Sequence, residues 1–116
     1  MKTVVIDITT EYERALEEAK RLINDGEVVG IPTETVYGLA ANALNEDAVR
    51  KIFVAKGRPS DNPLIVHIAK FEDLEPLVAE IPEKVKIMAE KFWPNALTMI
   101  MKKSDRISNV VSGNLD

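Results

Sequence analysis

Hydrophobic positions recur along this chain at two periods, and the switches between them mark out the elements. Residues 3–8 (TVVIDI) are rich in β-branched side chains and predict a strand. Thr10 and Glu13 have capping-box spacing, which predicts a helix from there through about Asn24. Its apolar positions Tyr12, Ala15, Leu16, Ala19, Leu22 and Ile23 share one face, and Gly26 is a suitable stop. Residues 28–31 predict a short buried strand ending at Pro32. Thr33, Thr35 and Tyr37 then alternate with Glu34 and Val36. If extended, that piece points two hydroxyls and a phenol to one side.

Small residues at Gly38, Ala40, Ala41 and Ala43 allow close packing or a short helix. Asn45 is placed to cap a helix running from Glu46 to about Lys56, with Val49, Ile52 and Phe53 inward and Ala48 and Ala55 beside them. Residues 64–68 (LIVHI) predict a strand with Leu64, Val66 and Ile68 on one face and Ile65 and His67 on the other. A helical segment around Phe71, Leu74, Leu77 and Val78 is interrupted at Pro76. Another opens near Pro82, and its predicted buried stripe is Val85, Met88, Ala89 and Phe92. Pro94 stops it. Trp93 and the four methionines read as core. Residues 97–102 (LTMIMK) predict a further strand, and a loop follows over 103–109.

Composition adds bounds. The chain has 116 residues, enough for one domain with a real core. It has no cysteine, which removes disulfides, thiolate metal clusters and thiol nucleophiles. No apolar run approaches the ~20 residues needed to span a bilayer, so a cytoplasmic enzyme or binding module is expected. A net charge of −4 argues against a generally basic nucleic-acid binder. Between Arg50 and His67, however, Arg50, Lys51, Lys56 and Arg58 face only Asp61. That basic patch suits a small anionic ligand, or equally a solvated helix end.

Residues 30–68 hold most of the polar side chains without an obvious structural task. Lys56 and Arg58 flank Gly57 at a helix C-terminus, where cations complement the helix dipole and can also converge on phosphate oxygens. Ser60, Asp61 and Asn62 form a polar stretch between Pro59 and Pro63. His67 is the only histidine. Beside a strand it suits a structural role as well as a ligand-binding one, and with no second histidine or cysteine it predicts no metal site. Neither a GxxxxGK[ST] loop nor a GxGxxG fingerprint occurs, so a nucleotide site would be of another design.

PTETVYGLAANA followed by KGRPSDNPLIVHI closely resembles the YrdC-type threonylcarbamoyl-AMP synthase family. The resemblance covers essentially the whole chain. It implies an α/β fold, an open twisted mixed sheet with flanking helices, around a positive groove. It also implies a nucleotidyltransferase that joins L-threonine, bicarbonate and ATP into threonylcarbamoyl-AMP. The product serves a downstream threonylcarbamoyl transferase acting on tRNA, with tRNA or double-stranded RNA as a further partner and Mg²⁺ accompanying ATP. By the family's pattern Lys56 and Arg58 are catalytic. Lys56, Arg58 and Asn62 hold ATP, and Thr35 and His67 hold L-threonine with Thr33 and Tyr37 in the neighbouring wall.

Two departures accompany the resemblance. Asn95-Ala96 stand where the family usually has Gly-Pro. Family members also continue past the equivalent of Asp116 with another strand and a Ser-x-Asn motif, so the chain is expected to be the N-terminal part of a single domain. The alternative is a non-catalytic nucleotide- or RNA-binding module, which salt-sensitive RNA binding without turnover would reveal.

Overall fold

A computed structural model describes residues 3–57 and 63–116. The chain divides into two compact units, Met1–Ile52 and Phe53–Asp116.

In the first unit, helix α1 (Tyr12–Asn24) packs against strand β1 (Val29–Ile31), and β1 pairs antiparallel with β2 (Gly38–Ala40). The register sets Val29 opposite Ala40, Gly30 opposite Leu39 and Ile31 opposite Gly38. The two strands therefore form a hairpin whose connection is residues 32–37. This corrects the expectation of an extended hydroxyl segment followed by a short helix. The strand begins at Gly38, after the Thr and Tyr residues whose β-propensity suggested it.

The predicted capping box is also corrected. Glu11, not Thr10, is the N-cap of α1, and it makes no side-chain cap. The chain enters instead through a turn built on Asp7. Its Oδ1 accepts from Thr9 N at 2.9 Å and Thr9 Oγ1 at 2.6 Å, and its carbonyl accepts from Glu11 N at 2.8 Å. The Thr9 hydroxyl and amide hold the Asp7 carboxyl below its ordinary 3.8. Residues 3–7, predicted as a strand, have no regular structure.

The other end of α1 follows expectation. Gly26 is buried at φ +79°, the left-handed geometry that ends a helix. Asn45 caps helix α2 (Glu46–Lys56) as predicted, with Oδ1 accepting from Ala48 N at 3.1 Å. Ala48, Val49 and Ile52 are buried, whereas the apolar face of α1 reaches only half-burial. Two three-residue strands offer it little sheet to cover.

In the second unit, Phe53, Leu74, Ala89, Ile107, Val110 and Val111 are buried. Residues Phe71–Leu77 form a 3₁₀ helix containing Pro76. It is clamped from outside: Ser104 Oγ donates to the Pro76 carbonyl at 2.6 Å and Ser104 N to the Leu77 carbonyl at 2.9 Å. Helix α3 (Glu83–Phe92) starts directly after Pro82, and a short helix α4 (Asn109–Ser112), unforeseen in the sequence, supplies Val110 and Val111 to the core. Of the predicted α3 stripe only Ala89 is buried; Met88 and Phe92 are 40% and 51% exposed, so neither reads as core. Trp93 is half-buried, its Nε1 donating to the Leu97 carbonyl at 2.9 Å.

The predicted strands at 64–68 and 97–102 have the burial pattern of strands without the ladder. Exposure alternates residue by residue, with Leu64, Val66 and Ile68 half-buried and Ile65 and His67 exposed, and Leu97, Met99 and Met101 repeat the pattern. Among the described residues of the second unit the strand-type pairing is an isolated antiparallel bridge, Val78 with Lys103, outside both segments. Alternation is a property of the chain, whereas a ladder needs a partner in register. Ile100, on the outer face, is 98% exposed. Replacing it with lysine is expected to change stability by less than about 0.5 kcal/mol in denaturant unfolding; a loss several times larger would place Ile100 in a packed contact.

Candidate functional site

Residues 32–37 form a loop because the Thr33 side chain turns back on the backbone. Its Oγ1 accepts from Thr35 N at 3.3 Å and from Val36 N at 3.2 Å, and donates to the Val36 carbonyl. Threonine hydroxyls commonly stabilise turns in this way. Thr35 Oγ1 lies 3.5 Å from Thr33 Oγ1, so the structure brings these two predicted residues together. Tyr37 is 84% exposed at the foot of β2. The single-sided row of Thr33, Thr35 and Tyr37 expected from period two is thus replaced by a turn, in which neighbouring hydroxyls meet through curvature of the backbone.

The remaining predicted residues belong to the second unit or to the stretch left undescribed. Lys56 is exposed in the last turn of α2, which Gly57 ends at φ +64°. Arg58 and Asn62 lie outside the described residues. His67 is on the exposed side of its segment, with Nδ1 3.2 Å from the Ile65 carbonyl.

The basic patch read from sequence is thinner than its residue count. Arg50 pairs with Glu46 one turn earlier on α2. Lys51 Nζ donates to the Gly26 carbonyl at 3.0 Å and meets Glu27 Oε1 at 3.2 Å. Lys51 therefore closes the end of α1, a role with no sequence signal because its partners lie more than twenty residues away. Of the described cations in the patch, Lys56 is the one set at a helix C-terminus, where the negative end of the dipole favours a cation.

Among the described residues no three His, Cys, Asp or Glu side chains converge as a metal cage. No helix of the described residues is long and apolar enough to cross a membrane. An open hollow of about 310 Å³ is lined by Met88, Phe92, Asn95, Ala96 and Leu97, and none of the described residues predicted for the site takes part in it.

These features define an α/β protein with a hydroxyl-bearing hairpin loop and a cationic helix end, and comparison with known proteins makes the class specific. A family model described as "Telomere recombination", covering Sua5, YciO and YrdC proteins, matches residues 21–116, and the chain belongs to that family. The threonylcarbamoyl-AMP synthase of Pyrococcus abyssi (strain GE5 / Orsay) is 50% identical over 115 residues, which cover 98% of this chain and 34% of that protein. The threonylcarbamoyl-AMP synthase of Bacillus subtilis (strain 168) is 51% identical, with 96% and 33% covered. The chain thus spans about a third of the length of these curated relatives.

Solved structures agree. The crystal structure of P. abyssi Sua5 complexed with L-threonine matches at a TM-score of 0.85 and 54% identity, covering 90% of this chain and 31% of that one. The solution structure of MTH1692 from Methanobacterium thermoautotrophicum matches at 0.66 and 30% identity, covering 99% and 51%.

Proposed function

We propose that this chain contributes the amino-acid and phosphate contacts of an enzyme that forms threonylcarbamoyl-AMP from L-threonine, bicarbonate and ATP for threonylcarbamoyl-adenosine modification of tRNA. The observation that carries it is the 0.85 match to a relative solved with L-threonine, at 54% identity over 90% of this chain. In this reading Thr35 and His67 orient L-threonine, with Thr33 and Tyr37 in the neighbouring wall. Lys56, Arg58 and Asn62 hold ATP, and Lys56 and Arg58 stabilise charge on the transferring phosphate.

No covalent nucleophile is required. The threonine amine attacks bicarbonate, and loss of water leaves a carbamate. A carbamate oxygen attacks the α-phosphorus of ATP, and pyrophosphate departs with the electron pair of the broken P–O bond. The protein's share is to hold charged reactants together and to meet developing phosphate charge with fixed cations. A hydroxyl-rich loop and a guanidinium fork suit those tasks.

Pyrophosphate release from ATP tests the proposal, measured with and without L-threonine and bicarbonate. It is run on residues 1–116 and on a chimera in which they replace the matching segment of the P. abyssi relative. Release by the chimera that needs both co-substrates is the expected result. Release independent of threonine, or salt-sensitive RNA binding with no release from either protein, would replace the synthase by the binding-module alternative.

A further inference from the structure

We infer that Thr33 is a positioning residue: its side chain is spent on building the loop, and it acts on an amino-acid ligand only by presenting Thr35. This rests on the threonine-binding reading above for its ligand, but not for its geometry.

A hydroxyl has one proton to donate and two lone pairs to accept with. Thr33 Oγ1 uses all three within the loop, towards the Val36 carbonyl, Thr35 N and Val36 N. A ligand would have to displace one of these bonds to reach it. Thr35 is differently placed. Its backbone N–H is taken by Thr33, while among the described residues its own hydroxyl has the long 3.5 Å approach to Thr33 Oγ1 and no other hydrogen bond. Within the loop, a hydroxyl that the loop does not consume is thus held beside a saturated one.

The methyl group of Thr33 has a second task. A Cβ built on Gly38 would lie 3.6 Å from Thr33 Cγ2, ordinary van der Waals distance, so the methyl sits over the first residue of β2. Gly38 is also the partner of Ile31, the pair that closes the hairpin. One side chain therefore fixes both the curvature of the loop and its seat on the strands.

The two parts separate by substitution. Thr33→Ser keeps the hydroxyl and loses the methyl; Thr33→Val keeps the bulk and loses the hydrogen bonds. Amide exchange by NMR reads the loop without ligand. In Thr33→Val the Thr35 and Val36 amides are expected to exchange about tenfold faster or more, as loss of one to two hydrogen bonds implies. In Thr33→Ser they are expected to stay within about threefold of the parent, since the hydroxyl bonds remain.

In the chimera, Thr33→Val is expected to raise the KM for L-threonine about tenfold with kcat at saturation nearly unchanged. Thr33→Ser should restore the parent KM. Protected amides in Thr33→Val would overturn the inference, and so would a Ser variant as defective as the Val variant. If the parent shows no response to L-threonine at all, the threonine reading fails, and the exchange rates alone decide whether Thr33 builds the loop.

Discussion

Replacing Lys56 by alanine is expected to lower kcat/KM for ATP in the chimera about 100-fold, the usual cost of removing one preorganised charge stabiliser from a transition state. The KM for L-threonine should move little. The alternative role of Lys56 is visible in its position: it lies in the last turn of α2, where a cation stabilises the helix by about 0.3–1 kcal/mol. The two roles predict different pairs of measurements. A dipole partner would show a stability loss below about 1 kcal/mol and no kinetic change. A phosphate ligand would show the kinetic loss at nearly unchanged stability.

Lys56→Arg sharpens the distinction. Arginine keeps the charge at the helix end, so stability should be retained. A planar fork does not occupy the place of a compact ammonium, so full activity is not expected to return. Unchanged kinetics in Lys56→Ala would remove Lys56 from the catalytic assignment and leave the proposed phosphate contacts to Arg58 and Asn62.

What could be read from sequence follows from how local each determinant is. Helix α2 was legible from its Asn45 cap through Val49, Ile52 and Phe53 to Gly57, though Ala55, read as lying beside that stripe, is exposed; caps, stripes and stops all act within a turn or two. The faces of 64–68 and 97–102 were legible as well, since side-chain alternation needs no partner. Depth was not. Met88 and Phe92 lie on the predicted face of α3 yet stay half exposed, because burial depends on what packs against a face rather than on its period.

The hairpin was misread for a related reason. Strands of three residues are too short to display a period, and the strongest β-formers nearby, Thr33, Thr35 and Tyr37, belong to the loop between them. The bonds of Thr33 to the backbone at Thr35 and Val36 outweighed propensity. The candidate site shares this limit. The residue types were visible, but a charge count could not show that Arg50 and Lys51 were already engaged by Glu46 and Glu27.

Gly26→Ala is expected to destabilise the first unit by about 2–3 kcal/mol, through two costs acting together. The backbone at φ +79° charges an L-residue roughly 1–2 kcal/mol. The new methyl would also lie 2.9 Å from Asn45 Nδ2, closer than such atoms approach, and Asn45 is the side chain that caps α2. Moving it aside gives up about 1 kcal/mol of capping. Gly57→Ala isolates the first cost: its φ is +64° and none of the described residues lies within 4 Å of the added atom. Gly30→Ala has neither cost, with no left-handed geometry and none of the described residues within 4 Å, and should be near neutral.

A double-mutant cycle then separates strain from collision. Once Asn45 is itself alanine, the colliding amide is gone and the cap is already lost, so Gly26→Ala should cost about 1 kcal/mol less than in the parent. Denaturant unfolding of the two single variants and the double variant measures that coupling. Strict additivity would mean that the Gly26 methyl is accommodated without disturbing Asn45, leaving backbone strain as the whole effect. A coupling of the expected size would show that the stop of α1 and the start of α2 are held by one contact. The Lys51 ammonium on the Gly26 carbonyl ties the same two elements together from the other side.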